Sequence, residues 1–373
     1  MKMKKPHIIL LFSDTGGGHR SVAEAIKEAI ELKYPGQADI EMIDFIKVVG
    51  RTPLNKIPDL YPWMVRVPKA WELGFKITDS KTRAKLFQSS YSLYSKRSLK
   101  NFIRNHPCDL FVSTHFGSNA FLDYLSPRGP KMISVVTDLI SAHSIWYDSR
   151  LDLCIVPSKA VYRSAKIAGL KKRQLKIIGL PISSKFADEK YSKAELKNKL
   201  NWPVNLPAIL IMGGGFGHGP LEKIVDDIAK SSPKASLAVI TGRNNKLKEA
   251  LSKKNWPIQV NVYSFTKQIP QMMRCSDILI TKAGSITLAE AFSASLPVIL
   301  YDFLPGQEEG NVIYLVDNNA GVFAPNSSQI VSVVHNWLKN PQKLKRIANA
   351  SFRLSQAKAA DDTAEIIAKK INL

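Results

Sequence analysis

The sequence lacks the signals that define several common classes of protein. It contains only three cysteines, far apart in the chain, so neither a disulfide framework nor a cysteine-rich zinc site is indicated. This sparse cysteine usage favours a reducing compartment. No Asp-x-Asp motif occurs, and no glycine-rich segment has the spacing of a Walker P-loop or of the dinucleotide-binding fingerprint.

Long hydrophobic runs are also missing. Residues 7–12 form a short apolar run after a lysine-rich start, which superficially resembles a signal peptide. The run is too short to span a bilayer, and no small-residue cleavage site follows it. We therefore expect neither a cleaved signal peptide nor a transmembrane helix.

Acidic residues are scarce relative to basic ones, with 31 Asp and Glu against 53 Lys and Arg, for a net charge of +22. Such a charge indicates a polyanionic partner, either nucleic acid or the anionic face of a membrane. Residues 51–105 carry 12 Lys or Arg and three acids, interleaved with aromatic and aliphatic residues. This pattern suits lipid headgroups, with Trp63, Trp71 and Phe75 as membrane-contacting candidates. It also suits single-stranded nucleic acid, or an ordinary basic surface over a buried aromatic cluster.

What the sequence does contain is a regular α/β pattern. Its 373 residues, 45% of them hydrophobic, are enough for two domains with full cores. Short apolar strands alternate with helices, and each strand ends in a polar or glycine-rich cluster, as in parallel sheets. We expect an N-terminal domain over residues 1–182, a linker over 183–206 and a C-terminal domain over 207–373. The terminal helix is expected to pack back on the N-terminal domain.

The stretch from residue 277 to residue 311 organises the second domain. Its apolar strand at 278–280 leads through Gly284 into a helical pattern and then a second strand, which predicts a βαβ unit. The free backbone N–H groups at the start of that helix, together with the glycine, predict a phosphate-binding turn. The polar loop at 305–311 suits sugar hydroxyls, which donate and accept hydrogen bonds.

A simpler interpretation of this stretch remains open. The Thr287-x-x-Glu290 spacing fits a capping box, and the polar loop fits an ordinary solvated connection. Two further glycine turns follow strands, at residues 16–18 and 213–219. Three such turns split between two α/β domains favour a ligand held in the cleft between them.

Five blocks, taken in order, carry a resemblance to a known family. They are residues 13–26, 135–146, 212–220, 240–244 and 280–311. Together they resemble the monogalactosyldiacylglycerol synthases, which are GT-B glycosyltransferases related to the lipid-II-forming N-acetylglucosaminyltransferase. The likeness covers nearly the whole chain. It implies an α/β fold of two Rossmann-like domains whose parallel sheets face each other across a cleft.

The resemblance also implies roles for residues of the first domain, which would bind the acceptor. His19 would be the general base, a role that suits an imidazole because its pKa lies near working pH. Asp14 would join it as a catalytic residue, and Asp14 and Asp138 would either orient His19 or contact the acceptor. The acceptor-binding candidates are Gly17, Gly18, Asp138, His143 and Trp146.

For the second domain the resemblance implies a UDP-sugar site. Phe265 and its neighbours would hold the uracil and Glu290 the ribose hydroxyls, while the helix start at residues 284–287 would take the diphosphate. Gln307 and Glu308 would contact the hexose. The full set of donor-binding candidates is Gly214, Gly215, Arg243, Phe265, Thr266, Lys282, Gly284, Ser285, Thr287, Glu290, Gln307, Glu308 and Asn311.

The expected activity is inverting transfer of a hexose from a UDP-sugar to diacylglycerol, without a metal or other cofactor, since a helix N-terminus can stabilise the departing UDP. Galactose is the favoured sugar because it is the leading donor in the family, and glucose is a close second. Ser285 and Ile286 stand where a Pro-Gly pair is common in the family, and this departure leaves the choice between the two sugars open. We expect a peripheral enzyme on the cytoplasmic face of an anionic membrane, with no nucleic-acid partner. The alternatives are transfer to another lipid such as a polyprenyl-linked sugar, a UDP-sugar epimerase, and a nucleic-acid-binding protein.

Overall fold

A computed structural model describes residues 5–64, 67–217 and 219–373 of the chain, without the side chains of 61–64, 68 and 70. The chain forms two compact units, each built around its own core. Unit 1 comprises Met1–Ser183, Leu304–Gln307 and Lys358–Leu373, and unit 2 comprises Ser184–Phe303 and Glu308–Ala357.

Unit 1 contains a six-stranded parallel sheet with the order β2-β1-β3-β4-β5-β6. The central strands β1, β3, β4 and β5 are mostly apolar and buried, as expected when helices cover a parallel sheet, whereas the edge strands β2 and β6 are more polar and more exposed. The strands are β1 (His7–Phe12), β2 (Asp39–Asp44), β3 (Leu110–Ser113), β4 (Lys131–Val135), β5 (Leu153–Val156) and β6 (Leu175–Ile177).

The helices of unit 1 include two that pack against each other from opposite ends of the chain. They are α1 (Gly18–Lys33), α2 (Phe45–Val49), α3 (Ile57–Met64), α4 (Pro68–Thr78), α5 (Lys81–Asn105), α6 (Lys159–Ile167) and, near the C-terminus, α15 (Ala359–Ile371). Helix α1 buries Val22, Ile26 and Ala29 at helical spacing. Helix α15 packs on α1, where Lys33 and Glu365 form an ion pair.

Unit 2 contains a second six-stranded parallel sheet, with the order β12-β11-β10-β7-β8-β9. This is the strand order of the dinucleotide-binding folds, although the glycine fingerprint of those folds is missing from the sequence. The strands are β7 (Ala208–Met212), β8 (Ser236–Ile240), β9 (Val260–Tyr263), β10 (Ile278–Lys282), β11 (Val298–Asp302) and β12 (Gly321–Phe323).

The helices of unit 2 begin inside the segment that the sequence predicts as a linker. They are α7 (Lys193–Lys199), α8 (Leu221–Lys230), α9 (Asn245–Ser252), α10 (Ile269–Cys275), α11 (Ser285–Ser293), α12 (Glu309–Asp317), α13 (Ser327–Lys339) and α14 (Pro341–Arg353). Residues 184–206 are part of unit 2, where Leu196 and Trp202 are buried and Lys197 Nζ donates to the Leu206 carbonyl. Residues 184–206 are therefore packed as part of unit 2.

The two parallel sheets confirm the α/β class predicted from the sequence. Each sheet has one position where the direction of strand order reverses, between β1 and β3 in unit 1 and between β7 and β10 in unit 2. Ligands of open α/β sheets bind beyond the carboxyl ends of the strands at such positions. Within the described chain, no helix has both the length and the hydropathy needed to cross a bilayer.

Candidate functional site

In unit 1, the loop after β1 and the loop after β3 meet at the position where strand order reverses. The β1 loop contains Gly16 and Gly17, both with positive φ (86° and 88°), and Gly17 is the N-cap of α1. This left-handed backbone suits glycine. It delivers His19 in the first turn of α1, next to Thr114 and His115 at the end of β3.

The backbone beside His19 fixes its tautomer. The His19 Nδ1 donates to the Thr114 carbonyl at 2.6 Å, and Thr137 Oγ1 lies 3.1 Å from the same nitrogen. Thr114 Oγ1 in turn donates to the His19 carbonyl at 2.8 Å. With the proton on Nδ1, the Nε2 atom carries a lone pair. Desolvation lowers the pKa of His19 to about 4 and outweighs the Thr114 bond, so the ring is neutral at pH 7.

Asp14 contacts Arg20 at the mouth of this loop. Arg20 Nε and Nη2 donate to the two Asp14 oxygens at 2.6 and 2.7 Å, and the guanidinium lies 4.3 Å above the Phe12 ring. The bidentate geometry holds the carboxylate firmly. The His19 ring is held by the Thr114 carbonyl, which accepts from its Nδ1.

Asp138, Trp146 and His143 surround the other side of the site. Asp138 accepts from Trp146 Nε1 at 2.7 Å and from Gln307 Nε2 at 2.9 Å. The Trp146 ring is fully buried, with its centroid 6.2 Å from that of His19. His143 Nδ1 accepts from a backbone N–H at 3.1 Å, and burial lowers the pKa of the ring. Asp138 therefore supports the wall of the site through Trp146.

In unit 2, the loops after β7 and β10 meet in the same way. A Cβ placed on Gly214, which has φ +70°, would lie 3.3 Å from Lys282 Cε, so the two loops are in close contact. Lys282 Nζ is 3.5 Å from Glu308 Oε1, and the Glu308 side chain is buried beside Gly284. This cluster places one cation at the start of α11.

The start of α11 has the character of an anion site. Gly284 is its N-cap, and among the described residues no side chain caps it. The first-turn amides and the helix dipole favour a negative group there. Asn311 holds this turn in place, because its Nδ2 donates to the Ala283 carbonyl at 2.9 Å and to Ser285 Oγ at 3.1 Å. Asn311 is fully buried, so it supports the turn from behind.

The capping-box interpretation of Thr287 and Glu290 is wrong. Helix α11 begins at Ser285 with Gly284 as N-cap, which places Thr287 and Glu290 inside the helix. The structure gives the Glu290 carboxyl no hydrogen-bond donor or cation among the described residues. Desolvation raises its pKa to about 8. A carboxyl in that state is suited to a ligand that brings its own donors.

The loops after β8 and β9 supply an exposed aromatic surface next to the loop after β7. Arg243 N donates to the Gly215 carbonyl at 3.0 Å, and its guanidinium lies 5.6 Å from the ring centroids of both Phe216 and Phe265. The Phe265 side chain is 61% exposed. Thr266 Oγ1 accepts from a nearby backbone N–H at 3.1 Å. Phe216 is a member of this cluster that the sequence did not identify, since nothing marks its pairing with Arg243.

The predicted membrane segment exposes aliphatic side chains more than aromatic ones. On α4, Leu73 and Ile77 are 61% and 50% exposed and share one face of the helix. On α5, Leu86 and Leu93 are 68% and 71% exposed and lie two turns apart, and Phe87, next to Leu86, is 53% exposed. We call these five residues, together with the Lys and Arg of α5, the α4–α5 face.

Two of the three aromatic residues predicted to contact a membrane are only partly exposed. Phe75 packs edge-to-face on His143 at 4.9 Å and against Gly306, so it is partly buried. Trp71 is also partly buried. The Trp63 side chain lies outside the described part of the chain, as does His218 in the glycine turn after β7. Among described residues, no group of three His, Cys, Asp or Glu side chains could hold a metal ion.

Comparison with known proteins adds to this geometry. The family described as monogalactosyldiacylglycerol (MGDG) synthase matches residues 19–182, and the glycosyltransferase family 28 C-terminal domain matches residues 208–364. Two solved structures share the fold. They are MurG of Acinetobacter baumannii (TM-score 0.59, 14% identity, 98% of this chain and 99% of that one) and the UDP-GlcNAc 2-epimerase of Neisseria meningitidis (0.64, 14%, 97% and 100%).

The structural likenesses show the GT-B fold alone, because their sequence identities are low. The sequence relatives are much closer. Monogalactosyldiacylglycerol synthase 3 of Arabidopsis thaliana, a chloroplastic protein, is 35% identical over 368 residues, covering 95% of this chain and 79% of the relative. The chain therefore belongs to the monogalactosyldiacylglycerol synthase family of glycosyltransferases.

Proposed function

We propose that this glycosyltransferase transfers a hexose from a UDP-sugar to diacylglycerol, with inversion and without a metal, at the cytoplasmic face of an anionic membrane. The observation that carries the proposal is His19, whose neutral ring presents an Nε2 lone pair at the strand-order reversal of unit 1. Galactose is the favoured sugar, as the names of the relatives suggest, and glucose is the second choice.

The chemical step needs one base and one stabilised leaving group. His19 Nε2 removes the proton of the acceptor hydroxyl while that oxygen attacks C1 of the hexose. The bond between C1 and the UDP oxygen breaks on the opposite face, and UDP leaves with the electron pair, so the configuration at C1 inverts. The proton on His19 then passes to solvent, which its low pKa favours.

The donor would be bound mainly by loops that follow the strands of unit 2. The first turn of α11, with Lys282 beside it, would stabilise the charge of the departing diphosphate. Phe265 and Arg243 offer a flat surface and a cation for the uracil. The Glu290 carboxyl would accept from the ribose hydroxyls, which supply the donors that the protein does not. Glu308, and Gln307 with its buried Oε1, would meet the hexose.

The α4–α5 face would bring the enzyme to its lipid substrate. Burying an exposed leucine in an apolar phase contributes roughly 1.5–3 kcal/mol, and each nearby Lys or Arg adds about 1 kcal/mol on an anionic surface. This combination of exposed aliphatic and basic residues favours a lipid acceptor over a soluble one. It also makes a nucleic-acid partner the weaker alternative, because exposed leucines add nothing to phosphate binding.

We expect the protein to release UDP from UDP-galactose when diacylglycerol is present and not when it is omitted. The measurement is coupled detection of UDP, repeated with UDP-glucose. Release that requires a polyprenyl-linked acceptor would assign a different lipid substrate. Conversion of the UDP-sugar to an epimer without UDP release would instead identify an epimerase.

Replacing His19 with alanine is expected to lower turnover by about 10²–10⁴-fold and to leave UDP affinity unchanged. The reason is that His19 acts on the acceptor hydroxyl, while UDP would be held by unit 2. A second measurement uses the wild type, whose kcat/KM should keep its base-dependent plateau down to a pH near 4, well below the ordinary value for histidine.

His335, which lies in unit 2 and whose Nε2 is 3.0 Å from Ser231 Oγ, gives a matched control for this experiment. His335→Ala should leave turnover within a few-fold of the wild type. Unchanged turnover in His19→Ala, or loss of folding together with UDP binding, would make His19 a structural residue.

Replacing Glu290 with glutamine is expected to remove a pH-dependent loss of stability. The native pKa of about 8 lies above the ordinary value of 4.5, so the folded protein holds a proton that the unfolded chain releases as pH rises. Wild-type stability therefore falls through that window. Urea unfolding at pH 5 and pH 9 should show Glu290→Gln gaining on the wild type by more than about 1 kcal/mol at the higher pH. An equal difference at both values would contradict the buried carboxyl.

Replacing Leu86 and Leu93 with serine is expected to weaken binding to anionic vesicles by at least about tenfold, because two exposed apolar side chains are removed from the bilayer contact. The control is Leu32→Ser on α1, since Leu32 is 70% exposed but lies outside the α4–α5 face. Vesicle sedimentation at low and high salt measures both effects, and salt should weaken all variants. Equal losses in the control and the double variant, or tight binding to nucleic acid instead, would exclude this membrane surface.

A further inference from the structure

A second histidine lies beside His19, and the transfer mechanism above gives it no role. His115 follows the end of β3, is 3% exposed, and places its ring centroid 4.6 Å from that of His19 in an edge-to-face arrangement. The ring is held between Phe116, stacked at 4.2 Å, and Phe45, at 5.5 Å. Its position is therefore as well defined as that of His19.

The tautomer of His115 is the reverse of that of His19. His115 Nδ1 accepts from the Gly117 N–H at 3.1 Å, where it caps the 3₁₀ helix Phe116–Asp123. An acceptor nitrogen carries no proton, so the ring proton lies on Nε2. Burial, and to a smaller degree the neighbouring His19, hold the pKa of His115 well below its ordinary value, so the ring stays neutral. The structure gives this Nε2–H no acceptor among the described residues.

The two neutral imidazoles thus present complementary groups. His19 offers a lone pair on Nε2, and His115 offers an N–H on Nε2. A hydroxyl group donates one hydrogen bond and accepts others, so it can satisfy both rings at once. One oxygen can bridge two nitrogens that are up to about 6 Å apart, a separation that adjacent rings readily allow.

We propose that the His115 Nε2–H donates a hydrogen bond to the oxygen of the acceptor hydroxyl whose proton is taken by His19 Nε2. This inference rests on the proposed function. The bond directs the hydroxyl proton towards His19. It strengthens as the oxygen gains negative charge during proton removal, so it stabilises the transition state more than the bound substrate.

Two substitutions distinguish hydrogen bonding by His115 Nε2–H to the acceptor from capping of the 3₁₀ helix by His115 Nδ1. His115→Asn keeps an oxygen near the Nδ1 position, which can accept from Gly117 N–H, but it has no atom near Nε2. His115→Gln extends an amide N–H towards the Nε2 position. We expect His115→Asn to melt like the wild type and bind UDP normally, while kcat falls by about 10–100-fold and KM for diacylglycerol rises. His115→Gln should restore most of the lost turnover.

Equal turnover in the two variants would overturn the proposal, because the distal donor is what distinguishes them. A second measurement uses the unmodified protein, in case the variants fold poorly. The His115 Nε2–H proton signal should move downfield when detergent-dispersed diacylglycerol is added, and an unmoved signal would also overturn the proposal. Failure of the wild type to release UDP with any lipid acceptor would instead reject the proposed function itself.

Discussion

The reciprocal pair of hydrogen bonds between His19 and Thr114 is the contact on which the proposed acceptor site depends. It joins the first turn of α1 to the end of β3, two elements 95 residues apart in the chain. Parallel pairing of β1 with β3 brings the carboxyl ends of the two strands together. The positive φ of Gly17 sets the direction in which α1 leaves the loop after β1. The sheet topology and the loop backbone therefore place His19 Nδ1 against the Thr114 carbonyl, and this contact leaves the lone pair on Nε2.

Unit 2 also places its candidate ligand-binding groups at a strand-order reversal, but those groups suit an anion. Its loops also meet where the strand order reverses, but they present backbone N–H groups, a lysine and two aromatic rings in place of a neutral base. Asn311 braces the turn from inside the protein as Thr114 braces His19. In both units a buried residue holds in place a group that is expected to contact a ligand.

Much of this architecture is readable from the sequence. The buried strands are short apolar runs that end in polar or glycine clusters, and such runs in a parallel sheet need no tertiary information to be recognised. The tautomer of His19 cannot be predicted from the sequence, because its partner is a backbone carbonyl 95 residues away in the chain. The sequence predicts a linker over residues 183–206 because its charges and prolines give no sign that Trp202 and Lys197 are buried.

Under the proposed function, the aliphatic character of the α4–α5 face determines how deeply the protein would enter a bilayer. Tryptophan and tyrosine prefer the headgroup level of a bilayer, whereas leucine and phenylalanine side chains enter the acyl region. Diacylglycerol has no headgroup, so its hydroxyl lies lower than the phosphates of its neighbours. A protein anchored by Leu73, Leu86 and Leu93 would sit deeper in the leaflet than one anchored by tryptophans. It would therefore reach this hydroxyl while the lipid stays in the bilayer.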